Sequence, residues 1–124
     1  MSDAILIKDN HLKFITDIKK TVSEIKKEYG DVDIEIEAES VDEAIRFAET
    51  DVDSLMLDNF TVSDIRKTTE ILSKIGVRKT LKIELSGNIT PHNIENYVDL
   101  DVDRISSGWI THSAMSLDFS LEII

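Results

Sequence analysis

Glu35 and Glu37 stand two residues apart in Ile34-Glu35-Ile36-Glu37. In a β-strand that spacing puts both carboxylates on one face and both isoleucines on the other. If the strand belongs to a barrel, one face points to the interior and the other to the surrounding helices. The isoleucines then belong to the helix side, and the glutamates point inward. Carboxylates in such an interior are costly unless they do something there. Asp58, at the end of Leu55-Met56-Leu57, is placed one strand further on at a similar height. Glu37 and Asp58 together could accept hydrogen bonds from sugar hydroxyls or hold a hard cation such as Mg²⁺.

Two further groups have chemistry available to them. Lys8 follows the apolar run Ile5-Leu6-Ile7 and can meet a carboxylate or phosphate as a point charge. Of the cationic side chains, it is the one expected to serve the site. Ser86-Gly87-Asn88 and Ser106-Ser107-Gly108 follow two later strand-like runs. Small residues there let backbone N–H groups approach an anion closely, and paired loops late in a barrel form a phosphate clamp. His11, His92 and His112 are too scattered for a metal spacing, and no nucleophile with its base is evident.

The elements that would position these groups follow from hydrophobic rhythm. Five short apolar runs, ending near residues 7, 36, 57, 83 and 105, alternate with helical periodicity, which predicts parallel strands in repeated βα units. The helices are expected from Leu12, Ile15, Ile18, Val22, Ile25 and Tyr29, closed by Gly30; from Ser40 with Glu43 as a capping box; and from Thr61 to Gly76. A fourth is expected from Thr90, with Pro91 first in the helix and Ile94, Tyr97 and Val98 inward, its positive end aimed at the Ser86 loop. The alternation of Leu117, Phe119, Leu121 and Ile123 reads as a half-buried strand. Asp-Val-Asp recurs at 31–33, 51–53 and 101–103, each time just before a strand, and is read as turn chemistry on the rim away from the site.

Composition narrows the classes. With 14 basic and 25 acidic side chains the net charge is −11, which disfavours nucleic acid and anionic membranes as partners. Zero cysteines removes thiolate chemistry and disulfides and points to the cytoplasm. The chain reads as a single α/β domain over residues 1–124. Its repeated βα units would form about half or more of a TIM-like barrel, with parallel strands and outer helices. A whole barrel needs ~250 residues. Two uncovered parallel edges and an apolar flank are therefore expected, and with them self-association.

Five segments, Ile7-Lys8-Asp9-Asn10-His11, Ile34-Glu35-Ile36-Glu37, Met56-Leu57-Asp58-Asn59-Phe60, Leu85-Ser86-Gly87 and Thr111-His112-Ser113, together resemble the quinolinate phosphoribosyltransferases. The resemblance implies transfer of a phosphoribosyl group from phosphoribosyl pyrophosphate to quinolinate with decarboxylation, giving nicotinate mononucleotide for NAD synthesis. It also implies that Lys8 helps hold the pyridine dicarboxylate. Glu37 and Asp58 would face the ribose and its Mg²⁺, and Ser86, Gly87, Asn88, Ser107, Gly108 and His112 would line the 5′-phosphate pocket. The chain departs from the family pattern at Asn88 and Trp109, where smaller residues are usual. The resemblance also implies an N-terminal domain and a first part of the barrel before the Lys8 strand, with the arginines that grip quinolinate, and these are expected to be missing from the 124 residues. The chain alone is therefore expected to be inactive, and to self-associate or need a complementing N-terminal half. A non-catalytic half-barrel scaffold and a related transferase with another acceptor are the competing readings.

Overall fold

A computed structural model describes residues 4–8, 17–106 and 121–123. Five strands, β1 (Ala4–Ile7), β2 (Asp33–Ala38), β3 (Ser54–Asp58), β4 (Lys82–Ser86) and β5 (Arg104–Ile105), run parallel in chain order. A sixth, β6 (Leu121–Ile123), pairs antiparallel with β1, so the sheet order is β5-β4-β3-β2-β1-β6. The tail strand expected from the alternation is present over Leu121–Ile123, while Leu117 and Phe119 lie outside the described residues. Its direction corrects one expectation. The free side of β1 is covered by an antiparallel neighbour, so β1 is not an open parallel edge.

Three helices connect the strands on one face. α1 (Ile18–Tyr29) starts later than the periodicity suggested, because the Asp17 side chain accepts from Lys20 N–H at 3.0 Å and caps it. Leu12 and Ile15 lie outside the described residues, and Tyr29, placed on the buried stripe by spacing, is 50% exposed. α2 (Val41–Ala48) is capped by Ser40 Oγ, which accepts from Glu43 N–H at 3.1 Å. The Glu43 carboxylate accepts in return from Glu39 N–H at 2.9 Å, one residue earlier than a standard capping box. α3 (Val62–Lys74) is capped by Thr61 and stops at Gly76. Val22, Phe47, Ile65 and Leu72 pack against Ile34, Ile36, Leu55, Leu57, Ile83 and Leu85, all buried. That face is the core.

The fourth helix is not formed. Thr90 to Leu100 makes turns around a single 3₁₀ segment, Ile94–Asn96, and Val98, expected inward, is 66% exposed. The local reason is visible in the hydrogen bonds. The Asn93 side chain accepts from Thr90 N–H at 2.8 Å and donates to Asn88 carbonyl at 2.8 Å, closing the backbone into turns that compete with a helix.

The Asp-Val-Asp repeat does what turn chemistry predicts, and more. Asp53 accepts from Ile34 N–H at 2.9 Å through its carboxylate while its own N–H donates to Ile34 carbonyl at 2.9 Å. Asp103 does the same to Ile83, at 2.8 and 2.9 Å. Each aspartate thus extends the pairing by one rung at the sheet's lower rim, away from Asp58 and Ser86. Arg78 adds ion pairs to Asp101 and Asp103 there, at 3.1 and 3.3 Å.

Candidate active site

The sheet's second face carries polar side chains in layers set by register. Ile7 pairs with Ile36, so Lys8 and Glu37 are the next residues along their strands, and Glu37 pairs with Met56, Met56 with Glu84 and Glu84 with Arg104. One layer above, Asp58 pairs with Ser86. One layer below lie Leu6, Glu35 and Ser54. Registered partners in a parallel sheet share a face, so Lys8, Glu37, Asp58 and Ser86 all point to the same side. The placement of both glutamates opposite Ile34 and Ile36 is as the spacing predicted.

Asp58 ends β3, and its Oδ1 accepts from Ser86 Oγ at 3.0 Å. The chain then turns sharply at Asn59, whose φ is 58°. Asn59 N–H donates to Ser86 carbonyl at 3.0 Å, tying the loop after β3 to that after β4. Gly87 has φ 111°, and a Cβ there would stand 2.8 Å from both Cγ and the backbone nitrogen of Asn59, so only glycine fits. The expected small-residue loop is therefore real at Ser86 and Gly87. The helix dipole expected behind it is not, because no α-helix begins at Thr90. Ser107, Gly108 and His112 lie outside the described residues, so the second loop is described only to Ser106. Below these loops, on the helix side, a cavity of about 210 Å³ is lined by Leu57, Phe60, Ile65, Leu85 and Tyr97, with Asn59, Ser86 and Asn88 also in its wall.

Sequence reasoning overlooked the group formed by Glu35, Glu84, Arg104 and Ser106. Arg104 reaches Glu84 at 3.3 Å and Glu35 at 3.6 Å, and Ser106 Oγ donates to Glu84 at 2.6 Å. Glu35 Oε2 is fully covered and makes no hydrogen bond of its own. Burial pushes the Glu35 carboxyl up from its ordinary 4.5 to about 7; the neighbouring Glu84 charge adds to the rise and Arg104 opposes it. The signal was available, since the alternation in Lys82-Ile83-Glu84-Leu85-Ser86 puts Glu84 on the face of Ser86. Lys8 is not, then, the lone cation on this face. Arg104 shares it, but both its contacts are to carboxylates of the chain itself.

As for a metal, Glu37 and Asp58 are hard oxygen donors on neighbouring strands of one face. Mg²⁺ commonly takes one or two carboxylates and completes its shell with substrate phosphates and water, a need this pair fits. Among the described residues no group of three or more His, Asp or Glu side chains converges as a cage. No helix among them is long and apolar enough to cross a membrane.

Comparison with known proteins identifies the family and the fold. The family model described as quinolinate phosphoribosyl transferase, C-terminal domain, matches residues 1–122. A probable nicotinate-nucleotide pyrophosphorylase [carboxylating] from Archaeoglobus fulgidus is 40% identical over 124 residues, covering all of this chain and 47% of the relative. The Homo sapiens nicotinate-nucleotide pyrophosphorylase [carboxylating] is 31% identical over 120 residues, covering 96% of this chain and 40% of its own length. Among solved structures, NadC from Streptococcus pyogenes superposes with a TM-score of 0.77 at 33% identity, over 99% of this chain and 42% of that one. The chain thus spans less than half the length of the relatives it matches. On the strength of a match over nearly its whole length and of a shared half-barrel fold, the chain belongs to the quinolinate phosphoribosyl transferase family, in the part that forms its C-terminal domain.

Proposed function

We propose that this chain supplies the phosphoribosyl-binding part of an enzyme that transfers a phosphoribosyl group from phosphoribosyl pyrophosphate to quinolinate. Pyrophosphate and carbon dioxide leave, and nicotinate mononucleotide is the product, a step of NAD synthesis. One observation carries the reading: Lys8, Glu37, Asp58 and Ser86 stand on one sheet face at the strands' carboxyl ends, where α/β folds bind ligands. Positive charge develops on the ribose as pyrophosphate departs, and two fixed carboxylates nearby favour it. No covalent nucleophile is required. Lys8 offers its charge to the pyridine dicarboxylate, and the Ser86-Gly87 backbone approaches the phosphate. Mg²⁺ would neutralise the diphosphate, with Glu37 and Asp58 as its protein oxygens. The chemistry, together with the absence of cysteine, suits a cytoplasmic enzyme.

The test is a calorimetric titration of Mg²⁺–phosphoribosyl pyrophosphate into the wild-type chain, Glu37→Ala and Asp58→Ala. Binding by wild type and loss in both variants is expected. Identical behaviour of all three removes the reading. Because the chain covers under half of its relatives, quinolinate turnover by these 124 residues alone is expected to be below detection, and to recover in part when the N-terminal portion of a relative is added.

A further inference from the structure

Asn59 is the one non-glycine residue with positive φ among the described residues. Asparagine tolerates the left-handed region better than most residues, but glycine would meet the backbone requirement at lower cost. Nor is Asn59 there to fill the core, since it is exposed. What it adds beyond glycine is an amide, and that amide stands between two groups of the site. Its Nδ2 donates towards Asp58 Oδ2 at 3.4 Å, while Ser86 Oγ donates to the other oxygen, Oδ1, at 3.0 Å. On its other side the amide covers Gly87 so closely that no side chain is possible there. The Asn59 backbone N–H, donating to Ser86 carbonyl at 3.0 Å, completes the link.

From this we infer that Asn59 is a positioning residue: it ties the Asp58 carboxylate to the Gly87 loop, so that the acid and the anion-binding turn are presented as one rigid unit. The inference rests on the proposed role of Asp58 and the Gly87 loop in binding the phosphoribosyl group. It also changes the part played by Ser86, whose hydroxyl is committed to Asp58. The Ser86 hydroxyl is then a tie to Asp58 rather than a donor to the phosphate. An asparagine amide is suited to this position because it can donate to a carboxylate without adding charge next to a phosphate.

Two variants separate positioning from simple backbone support. Asn59→Gly keeps the left-handed turn and removes the amide, whereas Asn59→Asp keeps the shape and replaces the donor with a negative charge. With Mg²⁺–phosphoribosyl pyrophosphate as the probe, Asn59→Gly is expected to weaken binding about ten- to a hundredfold, as misplacement of a reacting group does, with the urea midpoint nearly unchanged. Asn59→Asp should bind more weakly still. Wild-type affinity in Asn59→Gly overturns the inference. If the wild-type chain does not bind the probe, the phosphoribosyl reading fails, and the positioning link is then judged by a ligand-free measurement. In two-dimensional NMR the Asn59 side-chain amide signals should shift in Asp58→Ala relative to the wild-type chain. The Gly87 amide signal should shift in Asn59→Gly. An Asn59 side-chain amide signal unchanged in Asp58→Ala also overturns the inference.

Discussion

Glu35 on β2 and Glu84 on β4, with strand β3 between them, reach the same guanidinium, that of Arg104, at 3.6 and 3.3 Å. Two carboxyls so placed cannot both ionise cheaply, which is why burial and the Glu84 charge hold the Glu35 proton up to about pH 7.

A folded-state pKa above the unfolded one means that the folded chain binds the extra proton. Stability from this group is fully present below pH 4.5 and is lost as pH rises towards 7. The Glu35 side chain is 20% exposed, and the loss is at most about 3 kcal/mol. Urea unfolding at pH 5 and pH 8 should therefore give a lower midpoint at pH 8. Glu35→Gln, which cannot ionise, should flatten that difference and raise the pH 8 midpoint. An equal pH response in the variant would assign the effect to other groups.

Gly87→Ala is expected to cost about 1–3 kcal/mol, since the new Cβ meets the Asn59 backbone and the φ of 111° is strained for any side chain. Thermal or urea denaturation measures it directly. A change of only a few tenths would mean that the loop relocates freely.

The lower-rim clamps predict a contrast within one tripeptide. Asp53→Ala leaves Ile34 N–H without its acceptor and removes the ion pair with Lys26 at 3.1 Å, for a loss of about 1–3 kcal/mol. Asp51→Ala, at an exposed position two residues earlier, should change stability by under about 0.5 kcal/mol. Urea midpoints of the two variants compared with wild type decide it. Equal effects would reduce the repeat to a composition of turn residues.

Assembly is the fourth expectation. The outer side of β5 meets no strand among the described residues, while β6 shields β1. An unpaired parallel edge beside a polar, partly open face favours association. Sedimentation at micromolar concentrations is expected to show species larger than the monomer. A monomer alone at all concentrations would show that the sheet is sufficient by itself.

The local patterns carried much of this protein on their own. Alternation in Ile34-Glu35-Ile36-Glu37 assigned each side chain to a face, Ser40 and Thr61 marked the starts of α2 and α3, and Asp58, Ser86 and Gly87 were readable as strand-end chemistry because their neighbours set the period. Other features needed the assembled sheet. Thr90-Pro91 has the composition of a helix start, yet the Asn93 side chain accepts from Thr90 N–H and donates to Asn88 carbonyl, which holds turns instead, a competition that propensity does not rank. Register decided that Glu84 and Arg104 would join Glu35, for residues roughly fifty and seventy positions apart in the chain meet only when β3 and β4 have docked. The same holds for Gly87. Its glycine is explained by Asn59, on a different strand's loop, and a one-dimensional pattern contains no distance between the two.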